Sequence, residues 1–332
     1  MTVLEFLKDH TLLFDGSMGV YYHSLYSDGS FCEQANLTHP ERIEQIHREY
    51  LAAGANAIKT NTFISNCVTL ETDFAGVEKN IRAAYEIACR ALEGSDAFLF
   101  ADIGPIPDSS ADETEYEQIV DVFLSLGVKN YLFETFVDFE VQPRLAARIK
   151  RVLPDAFVVT TFGSMAEGYT SAGFAAQDLI RQAGQCPDID ASGLNCISGP
   201  THLQRVLAKV KNRPEFVAVM PNAGYPAIIR GKAVYGASPE YFGARMAEIQ
   251  AMGAKILGGC CGTTPEFIRK TVEAMKHPVI RVEPSENPAA VKRRPVVNRL
   301  ADKLDAGKRG TAVELDPPAD DRVDFSWMAH AV

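Results

Sequence analysis

The chain has 332 residues, of which 46% are hydrophobic and 23% are charged, so it can bury a large core and does not have the composition of a disordered polypeptide. Its formal net charge of −10 argues against a nucleic-acid-binding surface, which needs clustered lysines and arginines. The sequence has neither a long apolar run nor a basic-then-apolar N-terminal segment, so we expect a cytoplasmic location.

Short runs rich in β-branched and aromatic residues recur along the chain and predict eight β-strands. The predicted strands are residues 12–15, 57–63, 97–103, 131–136, 157–162, 191–196, 216–220 and 256–259. Apolar residues at helical spacing predict helices at 40–53, 77–92, 115–126, 144–152, 175–183, 201–210, 239–252 and 265–275. At the start of the first helix, Thr38 and Glu41 have the spacing of a capping box.

Strands and helices therefore alternate over most of the chain, and this predicts the fold. Gly54, Gly127 and Gly253 each separate a predicted helix from the next strand, as expected for a glycine in the left-handed C′ position. Eight alternations predict an α/β fold of the (β/α)8 TIM-barrel type, which typically takes about 250 residues. A doubly wound open sheet is the alternative. We assign the barrel to residues 1–280.

After the last predicted helix the composition changes to Glu, Pro, Asn and Ala, followed by a basic cluster and a short amphipathic stretch. This predicts a C-terminal extension, in which residues 281–310 form a linker with a short helix. Residues 311–332 resume a strand-like pattern. They are either the truncated start of a further domain or a tail that packs on the barrel.

The seven cysteines do not indicate a disulfide framework, because their number is odd and the chain is large. We expect Cys32, Cys67, Cys89 and Cys186 to be structural or incidental thiols. The other three cysteines, Cys196, Cys260 and Cys261, lie at predicted strand ends.

Cys196 ends the sixth predicted strand, and Cys260 and Cys261 end the eighth within a glycine-rich turn. The C-terminal ends of barrel strands converge on one face, where active sites are built. Three thiolates can hold a tetrahedral zinc ion and leave one position open, which is the arrangement of a catalytic site. The alternatives are three buried small hydrophobes, or a disulfide between Cys260 and Cys261.

Six motifs in this order resemble the homocysteine S-methyltransferase family, and the resemblance covers approximately residues 8–278. The motifs are LFDGSMG at 13–19, KTNTF at 59–63, FET at 133–135, GLNC at 193–196, PNAG at 221–224 and GGCCGT at 258–263. The family includes the homocysteine-binding barrel of cobalamin-dependent methionine synthase and that of proteins fused to methylenetetrahydrofolate reductase. The resemblance implies transfer of a methyl group to homocysteine sulfur, which yields methionine.

The resemblance also implies specific roles at the site. Zn²⁺ would be bound by Cys196, Cys260 and Cys261, with the homocysteine sulfur as the fourth ligand. Zinc lowers the pKa of a bound thiol, so no general base is required.

The same resemblance implies that Asp15 and Glu134 bind the substrate amino group and that backbone N–H groups around Gly16 and Ser17 bind its carboxylate. The alternative roles are a turn or cap for Asp15 and an ion pair inside the barrel for Glu134. Asn61 and Asn222 are further substrate-binding candidates, with loop geometry as the alternative role.

The methyl donor is less constrained by the sequence. Betaine is disfavoured, because a quaternary ammonium is usually held in an aromatic cage and the single tryptophan, Trp327, lies in the tail, although Tyr21 and Tyr22 could contribute. The segment VELDPP at 313–318 resembles the opening of methylenetetrahydrofolate reductase. That resemblance would place the chain in one-carbon metabolism around folate, with a methylated corrinoid or folate-linked module, S-methylmethionine or S-adenosylmethionine as the methyl donor.

Two other functions remain open at this stage. The same site would suit a methyltransferase that acts on another thiol or a selenol. A non-catalytic module that senses thiol oxidation or zinc within a multidomain protein would also need the cysteines but would transfer no methyl group.

Overall fold

The computed structural model describes residues 1–26, 29, 31–107, 113–229 and 232–277, which belong to one compact unit of the chain, Met1–Val279. The predicted linker at 281–310 and the extension at 311–332, with Trp327, lie outside the described residues. No helix of the described residues is long and apolar enough to cross a membrane.

Eight parallel strands form the barrel, in the order β1-β10-β7-β6-β5-β4-β3-β2. Their bounds are β1 Leu12–Leu13, β2 Ala57–Lys59, β3 Phe98–Ile103, β4 Asn130–Phe136, β5 Phe157–Gly163, β6 Ala191–Asn195, β7 Phe216–Met220 and β10 Ile256–Leu257. A parallel bridge between Phe14 and Ala57 joins β1 to β2 and closes the ring. The TIM-barrel prediction is confirmed, and the open-sheet alternative is wrong.

The helices surround this ring. They are α1 Val3–Asp9, α2 Met18–Tyr26, α3 Ala35–Thr38, α4 Pro40–Ala53, α5 Cys67–Leu70, α6 Phe74–Ala91, α7 Glu113–Ser125, α8 Gln142–Val152, α9 Ala176–Ala183, α10 Pro200–Lys209, α11 Pro239–Ala251 and α12 Pro265–Met275. The eight predicted helices correspond to α4 and α6 to α12. The short helices α1, α2, α3 and α5 and an antiparallel hairpin, β8 Pro226–Ile229 with β9 Lys232–Tyr235, were not predicted.

Helix ends follow the sequence signals in most places. Gly54, Gly127 and Gly253 all have positive φ, as predicted. The capping box at Thr38 and Glu41 is wrong, because His39 is the N-cap of α4 and the Thr38 hydroxyl donates to the Gln34 carbonyl instead. A proline at N1 fixes the helical φ there and removes one N–H that would need a cap.

Two layers of core hold the site in position. One lies inside the barrel, where Phe14, Phe100 and Met220 are buried with Val3 and Leu7 of α1. Phe6 of α1 also stacks edge-on against Phe98 at the start of β3, so α1 covers the N-terminal end of the barrel. The second core lies between the strands and the outer helices. With one end covered, the C-terminal ends of the strands are left to form a cavity.

Candidate metal and substrate site

The three predicted cysteines meet at the C-terminal end of the barrel. Cys196 follows β6 and Cys260 follows β10, and these two strands are the neighbours of β7 in the ring. The end of β7 accepts a hydrogen bond from each cysteine: the Cys196 N–H donates to the Met220 carbonyl at 3.0 Å and the Cys260 N–H to the Pro221 carbonyl at 2.9 Å. The three Sγ atoms lie within 4.8 Å of one another, and those of Cys196 and Cys261 are 3.6 Å apart. A tetrahedral ion with metal–sulfur bonds of about 2.3 Å places its sulfurs roughly 3.8 Å apart, so the triad fits one ion.

The three thiols are free, so the alternative of a disulfide between Cys260 and Cys261 is not what the structure contains. Hydrogen bonds donated by the Cys196 and Cys260 thiols lower the pKa of Cys261 to about 3. Contacts with the Cys196 and Cys261 sulfurs, together with burial, raise the pKa of Cys260 well above its ordinary value. One thiolate is therefore favoured without a cation, whereas three need a positive ion beside them.

Residues with a left-handed backbone conformation lie at and beside the cysteines. Cys196 has φ 55° and Ile197 φ 60°, conformations that cost a non-glycine residue roughly 1–2 kcal/mol each. Gly262 has φ 79°, and a Cβ on it would lie 2.3 Å from the Tyr235 ring. The chain thus accepts strain after β6 and uses glycine after β10 to direct both segments at one point.

A buried cluster of four charged residues lies next to the thiols. Asp15 follows β1, Lys59 ends β2, Asp102 lies in β3 and Glu134 lies in β4, and each is at most 9% exposed. The Lys59 Nζ is 3.0 Å from Glu134 Oε1, 3.2 Å from Oε2 and 3.9 Å from Asp15 Oδ1. The alternative role predicted for Glu134, an ion pair inside the barrel, is therefore present.

Burial dominates the ionisation of this cluster. It raises the pKa of Asp15 to about 7, in opposition to the charge of Lys59, and it raises the pKa of Asp102 well above its usual range with help from Glu134. Burial by itself would lower the pKa of Lys59, but the charges of Glu134 and Asp15 outweigh it and raise that pKa. Lys59 is accordingly a cation, and the acidic groups outnumber it.

Asn195 connects the charged cluster to the cysteines. Its Nδ2 donates to Glu134 Oε1 at 3.0 Å and to Thr135 Oγ1 at 2.7 Å, while its Oδ1 accepts the Thr135 N–H at 3.1 Å. Thr135 is itself left-handed, with φ 61°. Because Asn195 directly precedes Cys196, one side chain links the strand end that carries Glu134 to the strand end that carries a thiol.

The three cysteines and the charged cluster line one cavity of about 280 Å³. Of the predicted site residues, Asn222 is not part of its wall; the others are, namely Asp15, Gly16, Ser17, Asn61, Glu134, Cys196, Cys260 and Cys261. The Asn222 N–H donates to the Ser198 carbonyl, and its loop follows β7.

Several wall residues already have partners. The Ser17 N–H donates to Thr263 Oγ1 at 3.2 Å. The Asn61 amide donates to the Cys32 carbonyl and to Asn36 Oδ1, each at 2.9 Å, which is the loop role given as its alternative.

Sequence reasoning missed several residues of the wall, among them Lys59, Asp102 and Cys32. Lys59 and Asp102 were not singled out, although a charged residue within an apolar strand pattern is a usable signal at both positions. Cys32, expected to be incidental, is buried at the cavity with its Sγ 3.2 Å from Asn61 Oδ1. Tyr21 and Tyr22, by contrast, do not line it.

Comparison with known proteins decides the family. The family model for homocysteine S-methyltransferase matches residues 12–275. The chain belongs to this family. It is therefore a member of a family of methyltransferases, as its motifs predicted.

Curated relatives include the methionine synthases of Mycobacterium tuberculosis, 31% identical, and Mycobacterium leprae, 28% identical. Each alignment covers 82% of this chain but only 25% of the relative, so the chain spans about a quarter of the length of these proteins.

Among solved structures, the homocysteine methyltransferase MmuM from Escherichia coli is similar in its oxidized form (TM-score 0.64) and in its metallated form (TM-score 0.63). Both are 21% identical and cover 82% of this chain, and 98% and 99% of the MmuM chains. At this level of identity they show the shared barrel fold.

Proposed function

We propose that this barrel binds zinc and homocysteine and catalyses transfer of a methyl group from an external donor to the homocysteine sulfur, which yields methionine. The observation that carries the proposal is the arrangement of the cavity. Three thiol sulfurs within 4.8 Å of one another form one part of its wall, and a buried acidic cluster forms another. A substrate with a thiol at one end and an ammonium group at the other matches that arrangement.

The cysteines are the metal ligands in this proposal. Three soft thiolate donors suit zinc, and family membership supports the choice. Zinc bound there leaves a fourth position for a substrate thiol and lowers the pKa of that thiol, which removes the need for a general base. The chain's own contribution is to hold Cys196, Cys260 and Cys261 at fixed separations through the hydrogen bonds to the end of β7.

The charged end of the substrate requires two further contacts. We propose that the ammonium group binds in the acidic cluster that contains Asp15 and Glu134, since a buried cluster with three acidic residues and one lysine attracts a cation. Gly16 and Ser17 precede α2 at the cavity wall. The Ser17 N–H already donates to Thr263 Oγ1, so the carboxylate would be bound by neighbouring N–H groups at the start of α2, where a helix favours an anion. Asn61 is retained as a wall residue that positions the segment after β2.

The donor is proposed to be a methylated corrinoid protein or folate-linked module, S-methylmethionine or S-adenosylmethionine. Tyr21 donates its hydroxyl hydrogen bond to Glu49 at 2.7 Å, and Tyr22 is fully buried. Neither side chain contributes to an aromatic cage at the cavity, so betaine is not proposed.

Metal content and zinc-edge absorption spectroscopy, with and without L-homocysteine, test the proposal. We expect about one zinc per chain bound by three sulfurs, with a fourth sulfur on adding homocysteine. Cys196→Ala should lose both the metal and homocysteine binding. Cys186→Ala is the matched control, since Cys186 is a free, partly buried thiol away from the cavity. Unchanged zinc content in Cys196→Ala would contradict the proposal.

Activity assays separate the alternatives. Methionine formation with one of the proposed donors, tested on the longest available form of the protein, supports the methyltransferase. Failure with all of them, together with reversible oxidation of the triad, would favour a sensing module. Competition between homocysteine and a selenol acceptor measures the acceptor preference.

A further inference from the structure

Glu134 is the best satisfied of the three acidic groups in the charged cluster. Both of its oxygens accept from the Lys59 ammonium, at 3.0 and 3.2 Å, and Oε1 also accepts from the Asn195 amide at 3.0 Å. A carboxylate has about four lone-pair positions, so three of them are occupied by this chain's own donors. Lys59 thus already provides Glu134 with a cationic partner.

The other two acidic groups each have a buried oxygen without a partner. Asp15 Oδ2 accepts the Lys59 backbone N–H at 3.1 Å, but Asp15 Oδ1 has no hydrogen bond among the described residues and is 3.9 Å from the Lys59 Nζ. Asp102 Oδ1 is likewise buried without a hydrogen-bond partner there. Both side chains are at most 4% exposed, and both line the cavity beside the thiols.

A buried polar atom without a partner costs roughly 1–3 kcal/mol, and in the wall of a cavity it is a position where a ligand can supply the missing bond. Here the atoms are two acceptors on acidic groups, so the missing partner is a donor and its favoured charge is positive. An ammonium group has three donor hydrogens, which is enough to serve two such oxygens.

We propose that Lys59 takes the cationic position beside Glu134, and that the substrate ammonium group binds instead to the free oxygens of Asp15 and Asp102. Asp102 is then the specificity residue that selects an amino-acid thiol over a thiol without an amino group. Glu134 acts as a positioning residue through Lys59. The inference rests on the proposed function and refines where the substrate binds within the same cavity.

Charge supports this assignment. Lys59 is the cation of a cluster with three buried acidic groups, and its hydrogen bonds go to Glu134, so a bound ammonium group would supply a second cation beside Asp15 and Asp102 and favour their ionised forms. A ligand without the ammonium group leaves Asp15 and Asp102 with the raised pKa values that burial gives them.

Two ligands and three variants test the proposal on the zinc-loaded full chain. The ligands are L-homocysteine and 4-mercaptobutanoic acid, which keeps the thiol and the carboxylate but lacks the amino group. Calorimetry measures both dissociation constants for Asp102→Asn, for Lys59→Gln combined with Asp102→Asn, and for Glu115→Gln. The last is the control, because Glu115 is a buried acid outside the cavity that accepts the Cys67 N–H.

We expect Asp102→Asn to weaken homocysteine binding about 10- to 100-fold and to leave the analogue within about twofold, because only a charge-assisted hydrogen bond is lost. In the double variant, removal of Lys59 frees Glu134 for the ammonium, so the preference for homocysteine should return about 10-fold. Glu115→Gln should match the wild type for both ligands.

Each other outcome contradicts a stated claim. If Asp102→Asn keeps the wild-type preference, loses the analogue equally, or is not rescued by Lys59→Gln, the assignment of Asp102 is wrong while homocysteine binding itself stands. If the wild type binds neither thiol, the proposed function fails and this inference fails with it.

Discussion

Replacing Asn195 with alanine removes the side chain that connects Glu134, Thr135 and the thiol-bearing end of β6. All three hydrogen bonds of that amide would disappear: those to Glu134 Oε1, to Thr135 Oγ1 and from the Thr135 N–H. Asn195 is fully buried, and Thr135 holds a left-handed backbone that the amide stabilises. The variant therefore tests whether this network maintains the strained strand ends.

The expected loss follows from those contacts. A hydrogen bond to a charged acceptor such as Glu134 contributes about 1.5–3 kcal/mol, and the Thr135 N–H left without its acceptor costs about 1–3 kcal/mol. Together these two contributions amount to about 2.5–6 kcal/mol. Water from the adjacent cavity can replace part of the lost hydrogen bonding, so we use the lower half of that range. We expect the free energy of unfolding to fall by about 3 kcal/mol.

Urea unfolding followed by circular dichroism measures the change. Ser192→Ala is the matched control, because Ser192 is buried on the same strand and donates one hydrogen bond, to the Ile180 carbonyl at 3.0 Å. That variant should lose about 1 kcal/mol. A loss for Asn195→Ala no larger than that of Ser192→Ala would refute the reasoning that the amide supports three groups.

Three further predictions concern pH, backbone strain and metal. His47 is fully buried with neither ring nitrogen hydrogen-bonded among the described residues, and burial lowers its pKa from 6.5 to about 4 in spite of Glu44. The folded state therefore binds fewer protons than the unfolded chain between these values, and the free energy of unfolding should fall by about 2 kcal/mol from pH 7 to pH 5 through this group. In His47→Leu, urea titrations at both pH values should lack that part of the fall, and parallel curves for the two proteins would contradict the assignment. Gly262→Ala should lower the melting temperature and the zinc affinity, because φ 79° is strained for alanine and its Cβ would displace the Tyr235 ring; wild-type values for both would show that this turn adapts. A chelator should lower the melting temperature of zinc-loaded protein but not that of Cys196→Ala, as differential scanning calorimetry can show, and an equal shift in both would contradict metal binding at the triad.

The candidate site could be predicted from the sequence where its residues lie at strand ends. Cys196, Cys260 and Cys261 follow apolar runs in glycine-rich segments, and a parallel barrel places all such ends on one face. The same argument applied to Asp15 and Glu134. It did not apply to Asn222, which also follows a strand but is not part of the cavity wall, because a loop side chain has no direction that strand order dictates.

The order and type of the barrel's elements were determined by local sequence. An apolar β-branched run predicts a buried strand wherever it occurs, and helices such as α4 and α12 begin at a proline and bury one face, so their limits matched the prediction. The short helix α2 was not predicted, because Met18–Tyr26 has a weak apolar periodicity and only Tyr22 is buried. Tertiary contacts determine such a segment more than its own propensity does.

Only the tertiary structure decided which charges meet. Lys59, Asp102 and Glu134 lie on three consecutive strands of the ring. The sequence does not reveal that the lysine turns towards Glu134, nor that one oxygen of Asp15 and one of Asp102 have no hydrogen bond within the described part of the chain. The physical reason is that ion pairing inside a barrel depends on strand register and on side-chain direction over a few ångströms. Those quantities are fixed when the ring closes, which happens through the contact between Phe14 and Ala57, residues far apart in the sequence.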